Sequence, residues 1–223
     1  MAKKRMASAV PARGREAGRE SKRKSEPEWK VENIVATVAV GVPEGKNVDL
    51  YQIARKHPDC EYNPERFPGL VMRIASPKAS VLVFSSGKMV VTGLRDASDA
   101  GKVADMVIAR IKAARVDILG EPTVTVQNVV ASGNLHVSID LNEAAVVMEN
   151  VLYEPEVFPG MVYRMTEPRV VFLVFSTGRV VCTGAKTKEM VGEAIPKLAR
   201  HIKELGISGD EFSDSGNEDF DHV

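Results

Sequence analysis

Apolar and polar positions follow one another in the same order twice along this chain. An apolar-rich run over Val31–Val40 predicts a strand, and a second over Thr123–Val130 predicts its counterpart. A short helix opened by aspartate comes next in each copy. It reads Asp49-Leu-Tyr-Gln-Ile-Ala in the first and Asp140-Leu-Asn-Glu-Ala-Ala in the second, with the aspartate as N-cap. Pro68-Gly69 and Pro159-Gly160 then mark turns. Three short strands follow, broken near Pro77 and Pro168 and again at Ser86-Gly87 and Thr177-Gly178. A long helix closes each unit. Its buried stripe reads Val103, Val107 and Ile111 in the first copy, and Val191, Ile195, Leu198, Ile202 and Leu205 in the second. Pro196 falls inside this last helix and cannot donate to the carbonyl of Gly192, which predicts a kink.

The doubling extends to single residues. Tyr62–Gly93 and Tyr153–Gly184 are identical at 17 of 32 positions, at a spacing of ninety-one; unrelated segments of ordinary composition share about two or three. Asn33-Ile34-Val35 recurs as Asn128-Val129-Val130 at a spacing of ninety-five, because the first copy carries four extra residues within Gly41–Val48. Two like units predict a pseudo-two-fold body, and such bodies suit targets that are themselves nearly symmetric. Two copies are too few for a solenoid. Glu121-Pro122 separates them too briefly to act as a flexible linker, so the halves should pack as one unit. The expected division is a basic arm over 1–30, a first repeat over 31–118, a second over 119–207 and an acidic tail over 208–223.

Strands such as Val81–Phe84 and Val171–Phe175 are apolar on both faces. Two helices per repeat can cover one face of a sheet, and nothing in the sequence covers the other. A second sheet, a dimer or an apolar ligand surface would each account for it. The doubled phenylalanines favour the last.

Composition narrows the class. The 223 residues are enough to bury a core, and no apolar run approaches a membrane span. No apolar stretch follows the charged N-terminus as a signal peptide requires, and Cys60 and Cys182 have no ligand spacing, which suits a reducing, intracellular setting. The net charge of zero hides an asymmetry. Residues 1–30 hold ten Lys and Arg against four Glu, whereas 209–223 hold six Asp and Glu and no Lys or Arg. Both ends lack apolar periodicity and read as disordered. The basic arm suits nucleic acid or acidic partners, or is simply solvated.

Chemistry concentrates on the doubled positions. Folding each hairpin at its proline brings Phe67 to Phe84 and Phe158 to Phe175. Core packing is the usual fate of phenylalanine, but Phe67 and Phe158 adjoin Pro-Gly turns, where burial is harder. A ring pair at each end of a symmetric sheet suits a wedge between stacked bases. Arg66, Arg73, Lys78, Lys88 and Arg95 are interleaved with the first set of strands, and Arg164, Arg169, Arg179 and Lys186 with the second, where they would meet phosphates. Asn33 shares a face with Val35, Asn128 with Val130, Val90 with Thr92 and Val181 with Thr183. Amide and hydroxyl donors beside a valine floor suit the minor-groove acceptors of A·T pairs, and that floor would strand the guanine amine without water.

These residues bring a family into view. E-Y-N-P-E-R-F-P-G and Y-E-P-E-V-F-P-G, then V-F-S-S-G-K-M-V-V-T-G and V-F-S-T-G-R-V-V-C-T-G, with the strands E-N-I-V and Q-N-V-V, resemble the TATA-box-binding protein family over about 31–207. The resemblance implies an α+β saddle: a curved ten-stranded antiparallel sheet with four helices on its convex side, gripping the minor groove of an A·T-rich promoter element. It implies that Phe67, Phe84, Phe158 and Phe175 intercalate, and that Asn33, Asn128, Thr92 and Thr183 hydrogen-bond base edges. Val35, Val90, Val130, Val181, Leu82 and Leu173 would form the floor. Arg66, Arg73, Lys78, Lys88, Arg164, Arg169 and Arg179 would take phosphates. Glu154 and Glu156 match positions that contact transcription factor B, which recruits RNA polymerase. The implied protein sits on DNA as a monomer, with self-association in the absence of DNA left open, and uses neither cofactor nor metal. Its style is archaeal, which places it in the cytoplasm with the nucleoid; a eukaryotic relative would be nuclear. The Gly41–Val48 insertion and a first long helix with few basic residues depart from the family pattern.

Two other classes stand beside this one. A nucleic-acid enzyme would need carboxylates or a nucleophile–base pair converging on the open face. His57, His136, His201 and His222 are dispersed, and no phosphate loop, metal spacing or nucleophile elbow appears. A protein-interaction module gives no reason to repeat the asparagines and threonines.

Overall fold

Both aspartates expected to open helices do so. Asp49 accepts from the backbone N–H of Gln52 at 2.8 Å, and Asp140 from those of Asn142 and Glu143 at 2.9 and 3.0 Å, relieving N–H groups that a helix leaves without internal partners. The structure, a computed structural model, describes residues 26–211. Its first repeat runs β1 (Glu28–Gly41), α1 (Leu50–Lys56), β2 (Leu70–Ala75), β3 (Lys78–Val83), β4 (Lys88–Leu94) and α2 (Asp99–Ala113). The second runs β5 (Leu119–Asn134), β6 (Val137–Ile139), α3 (Leu141–Val147), β7 (Val151–Leu152), β8 (Met161–Met165), β9 (Val170–Val174), β10 (Arg179–Ala185), α4 (Lys188–Glu204) and β11 (Ser208–Glu211).

The fold is an α+β saddle built on one large curved antiparallel sheet, with strand order β2-β3-β4-β1-β5-β10-β9-β8-β7. β1 and β5 lie at its centre, and their register carries the pseudo-dyad. Asn33 pairs with Val130, and Val35 with Asn128, so equivalent residues of the two repeats exchange places across one seam. The helices lie against one face. That face contributes Ile34, Ala36, Val38, Met72, Val81, Val91, Phe172 and Cys182 to the core, and the helices contribute Val103, Val107, Ile111, Val191, Ile195 and Leu198. Residues of opposite parity are half-buried or exposed throughout, because nothing among the described residues covers them.

Several boundaries differ from the sequence reading. The sheet has nine strands, not ten. The tenth position is held by a single-residue bridge, Glu61 to Val71, where the second repeat forms β7 from Val151–Leu152. Glu61 stands between Cys60 and Tyr62 with no apolar run to extend the pairing. Glu121-Pro122 is not a connection between domains but part of β5. Pro122 falls where the β1–β5 register shifts between Ala39 and Gly41, a bulge that tolerates a residue with no N–H to donate. β1 begins at Glu28, within the supposed basic arm, with Trp29 packed on the core. Residues Ser208–Glu211, assigned to the tail, form β11 and pair with β6 in a separate two-stranded sheet. The remainder of arm and tail lies outside the described residues. α4 runs from Lys188 to Glu204 with Pro196 inside it, and Leu205, its C-cap, is half-buried and packs against the core at the end of the apolar stripe.

Candidate nucleic-acid interface

Period two, applied to the observed strands, decides which side chains share the open face. From β3 it takes Lys78, Ser80 and Leu82, continuing to Phe84; from β4 it takes Lys88, Val90 and Thr92. β9 and β10 supply the matching set: Val171 and Leu173, with Arg169 before them and Phe175 after, and Arg179, Val181 and Thr183. Cross-strand register joins these into rows. One runs Val71–Leu82–Val90–Thr37, and its pseudo-symmetric partner runs Val162–Leu173–Val181–Ser132. Six floor residues named from the sequence, Val35, Val90, Val130, Val181, Leu82 and Leu173, therefore sit on one surface. Val71 and Val162 belong to the same rows and were missed, although their identity in the two copies was a usable signal. Thr37 and Ser132 were also missed, because they differ between copies.

At the dyad the polar groups are pinned. The Gly93 N–H donates to Asn33 Oδ1 at 2.8 Å, and the Gly184 N–H to Asn128 Oδ1 at 2.8 Å. A carbonyl oxygen held by a backbone donor fixes which way the amide points, so each asparagine has its NH₂ end left to use. That end reaches Thr92 Oγ1 at 3.4 Å in one half and Thr183 Oγ1 at 3.2 Å in the other. The result is two matched amide–hydroxyl donor pairs beside a valine floor. Neighbouring Glu32 and Gln127 are also related by the repeat. The Ser132 hydroxyl donates to Glu32 Oε1 at 2.5 Å, and Gln127 Nε2 donates to Thr37 Oγ1 at 2.9 Å. The Ser132 hydrogen bond is the main reason the Glu32 carboxyl is held below its usual range.

The ring pairs sit at the two ends of the sheet. Phe67 and Phe84 have centroids 5.9 Å apart at 66°, and Phe158 and Phe175 repeat both values. Phe67 and Phe158 are each 40% exposed, unlike the fully buried Phe172. The rings lie so close over the backbone that a Cβ at Gly69 would stand 2.6 Å from Phe67, and one at Gly160 would stand 2.7 Å from Phe158. The two Pro-Gly turns thus carry glycine where a ring must nest. Arg73, Lys78, Lys88, Arg164 and Arg169 are exposed on the open-face parity, Arg179 is half-buried there, and Arg66 is exposed in the loop beside Phe67. Glu154 and Glu156 are exposed in the equivalent loop beside Phe158, next to Val157 at 79% exposure.

Among the described residues no group of three His, Cys, Asp or Glu could hold a metal ion, and no helix is long and apolar enough to cross a membrane. Burial pushes the Cys182 thiol up to about 12, which leaves it without nucleophilic character.

The family model for "Transcription factor TFIID (or TATA-binding protein, TBP)" matches residues 28–114 and 123–205, nearly the whole described chain. The chain belongs to the TATA-box-binding protein family. Membership places it among transcription factors rather than enzymes. The TATA-box-binding protein of Pyrobaculum aerophilum is 46% identical over 181 residues, covering 81% of this chain and 89% of that one. That of Aeropyrum pernix is 49% identical over 178 residues, covering 80% and 86%. Among solved structures, Methanococcus jannaschii TBP superposes with a TM-score of 0.71 at 39% identity, over 79% of this chain and 99% of that one. The two segments matched by the family model straddle the seam between α2 and β5 and so coincide with the two halves of the saddle.

Proposed function

We propose that this protein binds the A·T-rich TATA element of promoters through the minor groove, kinks it at two places and nucleates assembly of the transcription machinery. The observation that carries this reading is the pinned pair of asparagines at the dyad. Two NH₂ donors, fixed by backbone N–H groups and flanked by valines, complement the A N3 and T O2 acceptors that line an A·T minor groove. A guanine amine placed there would lose its water against Val35, Val90, Val130 and Val181. The ring pairs enter base steps at the two ends, and the flanking arginines and lysines meet the phosphates of the bent duplex. In this reading the chain binds DNA as a monomer, with self-association in the absence of DNA left open. The protein would follow the DNA, as a nucleoid-associated factor.

Glu154, Glu156 and the exposed Val157 form a surface on the second-repeat loop that suits transcription factor B, with RNA polymerase recruited through that partner. Charge reversal at Glu154 and Glu156 is expected to abolish the ternary complex in a supershift assay while leaving the DNA complex intact.

The deciding experiment is a mobility shift on an A·T-rich duplex and on the same site rebuilt with inosine·cytosine pairs. Inosine lacks the minor-groove amine but keeps a guanine-like major groove. We expect a Kd of roughly 10⁻⁸ M or tighter near physiological salt, retained on the inosine site and lost on a guanine·cytosine site. Loss on the inosine site would move the contact to the major groove and end the proposal. Asn128→Ala should cost about 1–3 kcal/mol of discrimination against guanine, with little change in salt dependence, measured by competition between the two duplexes.

A further inference from the structure

Arg73 and Arg164 are the same residue at the same place in the two repeats, and both are exposed on the open face. Arg73 lies on β2, the last strand at its end of the sheet, with only the Glu61 bridge outside it, and Arg164 lies on β8, one strand in from β7; their rows continue to Ser80 and Thr92 on one side and to Val171 and Thr183 on the other. Their outward neighbours differ. Beside Arg73 the bridge residue is Glu61, whose backbone is held to Val71 by hydrogen bonds of 2.9 and 2.8 Å in the two directions. Arg73 Nη1 donates to Glu61 Oε1. The equivalent bridge position in the second repeat is Leu152, paired with Val162. Among the described residues Arg164 makes no ion pair.

We infer that Glu61 makes Arg73 a conditional phosphate contact, so that two arginines identical in the repeated sequence grip DNA unequally. This rests on the DNA-binding reading above. The backbone bridge keeps the Glu61 carboxylate within reach of Arg73, and while paired the two present no net charge to an approaching phosphate, whereas Arg164 presents a full positive charge. A phosphate must therefore displace Glu61 from the guanidinium or share it. Exposed ion pairs are weak, so displacement is affordable, but the carboxylate stays nearby and opposes the phosphate. A cation already neutralised releases fewer counterions when DNA arrives, and it adds less to the salt dependence. Arg73 and Glu61 shift one another accordingly: the guanidinium holds the Glu61 carboxyl below its usual range.

The test is the salt dependence of binding to the A·T-rich duplex, followed by fluorescence anisotropy from about 50 to about 200 mM salt. Arg164→Ala should lower the slope of log K against log salt by about 0.9, the value for one phosphate contact, which is about 3-fold over that range. Arg73→Ala should lower it by less than half as much. Glu61→Leu, which installs the residue the second repeat uses, should steepen the slope and tighten binding; in that background Arg73→Ala should cost the full amount. Glu61→Gln, which removes charge but keeps the side chain's shape, should behave as Glu61→Leu does. Equal slopes for the two arginine variants, or no change on replacing Glu61 in folded protein, overturn the inference. Failure of the unmodified chain to prefer A·T-rich duplex sinks the DNA-binding reading itself.

Discussion

Alanine at both Phe158 and Phe175 is expected to leave a complex that still forms but bends its DNA at one end only. The two ring pairs have the same separation and the same tilt, so each should supply one of two kinks, and losing one pair should reduce the bend by about half. Two anchor aromatics at about 2 kcal/mol each correspond to a loss of affinity of roughly 10²–10³-fold. The salt slope should hardly move, because the arginines and lysines proposed to meet phosphates are untouched. Fluorescence transfer between dyes on the duplex ends measures the bend, and the same samples give the slope. A full bend with weakened binding would mean that the rings pack against the sugar edges rather than between bases. Gly160→Ala offers a milder version: the added Cβ would stand 2.7 Å from Phe158 and 3.0 Å from Phe175, so the rings must part while both remain present.

The second large effect concerns stability. Gly178 sits in the β9–β10 turn at φ 77°, where a side chain is strained, and a Cβ there would lie 2.0 Å from the carbonyl oxygen of Val137. Either the turn or β6 must move. Moving them breaks the hydrogen bonds from Leu135 N–H to Gly178 O and from Ile139 N–H to Ser176 O, at 2.9 and 2.8 Å. At about 1 kcal/mol per bond and 1–2 for the left-handed backbone, Gly178→Ala should cost about 3–4 kcal/mol. In a chain of this size that lowers Tm by about 10 °C. Thermal melts check it, and an unchanged Tm would show that β6 is not seated under the turn. DNA binding should fall as well, since the same turn holds Phe175 through the Gly178 N–H to Phe175 O bond at 2.9 Å. Gly87, its equivalent in the first repeat, meets Val40 O at 2.7 Å and should be less sensitive.

Much of the open face was legible because strand chemistry is periodic. Asn33 with Val35, Val90 with Thr92, and their partners in the second copy share a face for no reason beyond a period of two, and a doubled sequence checks that period against itself. Glu61 shows where this stops. Nothing near it in sequence announces that its carboxylate meets Arg73, because the contact is made between segments brought together by a bridge. β11 was hidden for a similar reason: Ser208–Glu211 has no apolar alternation of its own, and it becomes a strand only because β6 offers unpaired backbone groups beside it.

Element order, capping aspartates, the apolar stripes of the long helices and the doubled set of chemical groups are properties of neighbouring residues, and the order of letters was enough to decide them. Strand count at the edges, the passage of β5 through Glu121-Pro122, the pinning of both asparagine amides and the inequality of two like arginines depend on which distant segments become neighbours. Local spacing governs direction along a strand. Only the closed sheet determines what stands across from it.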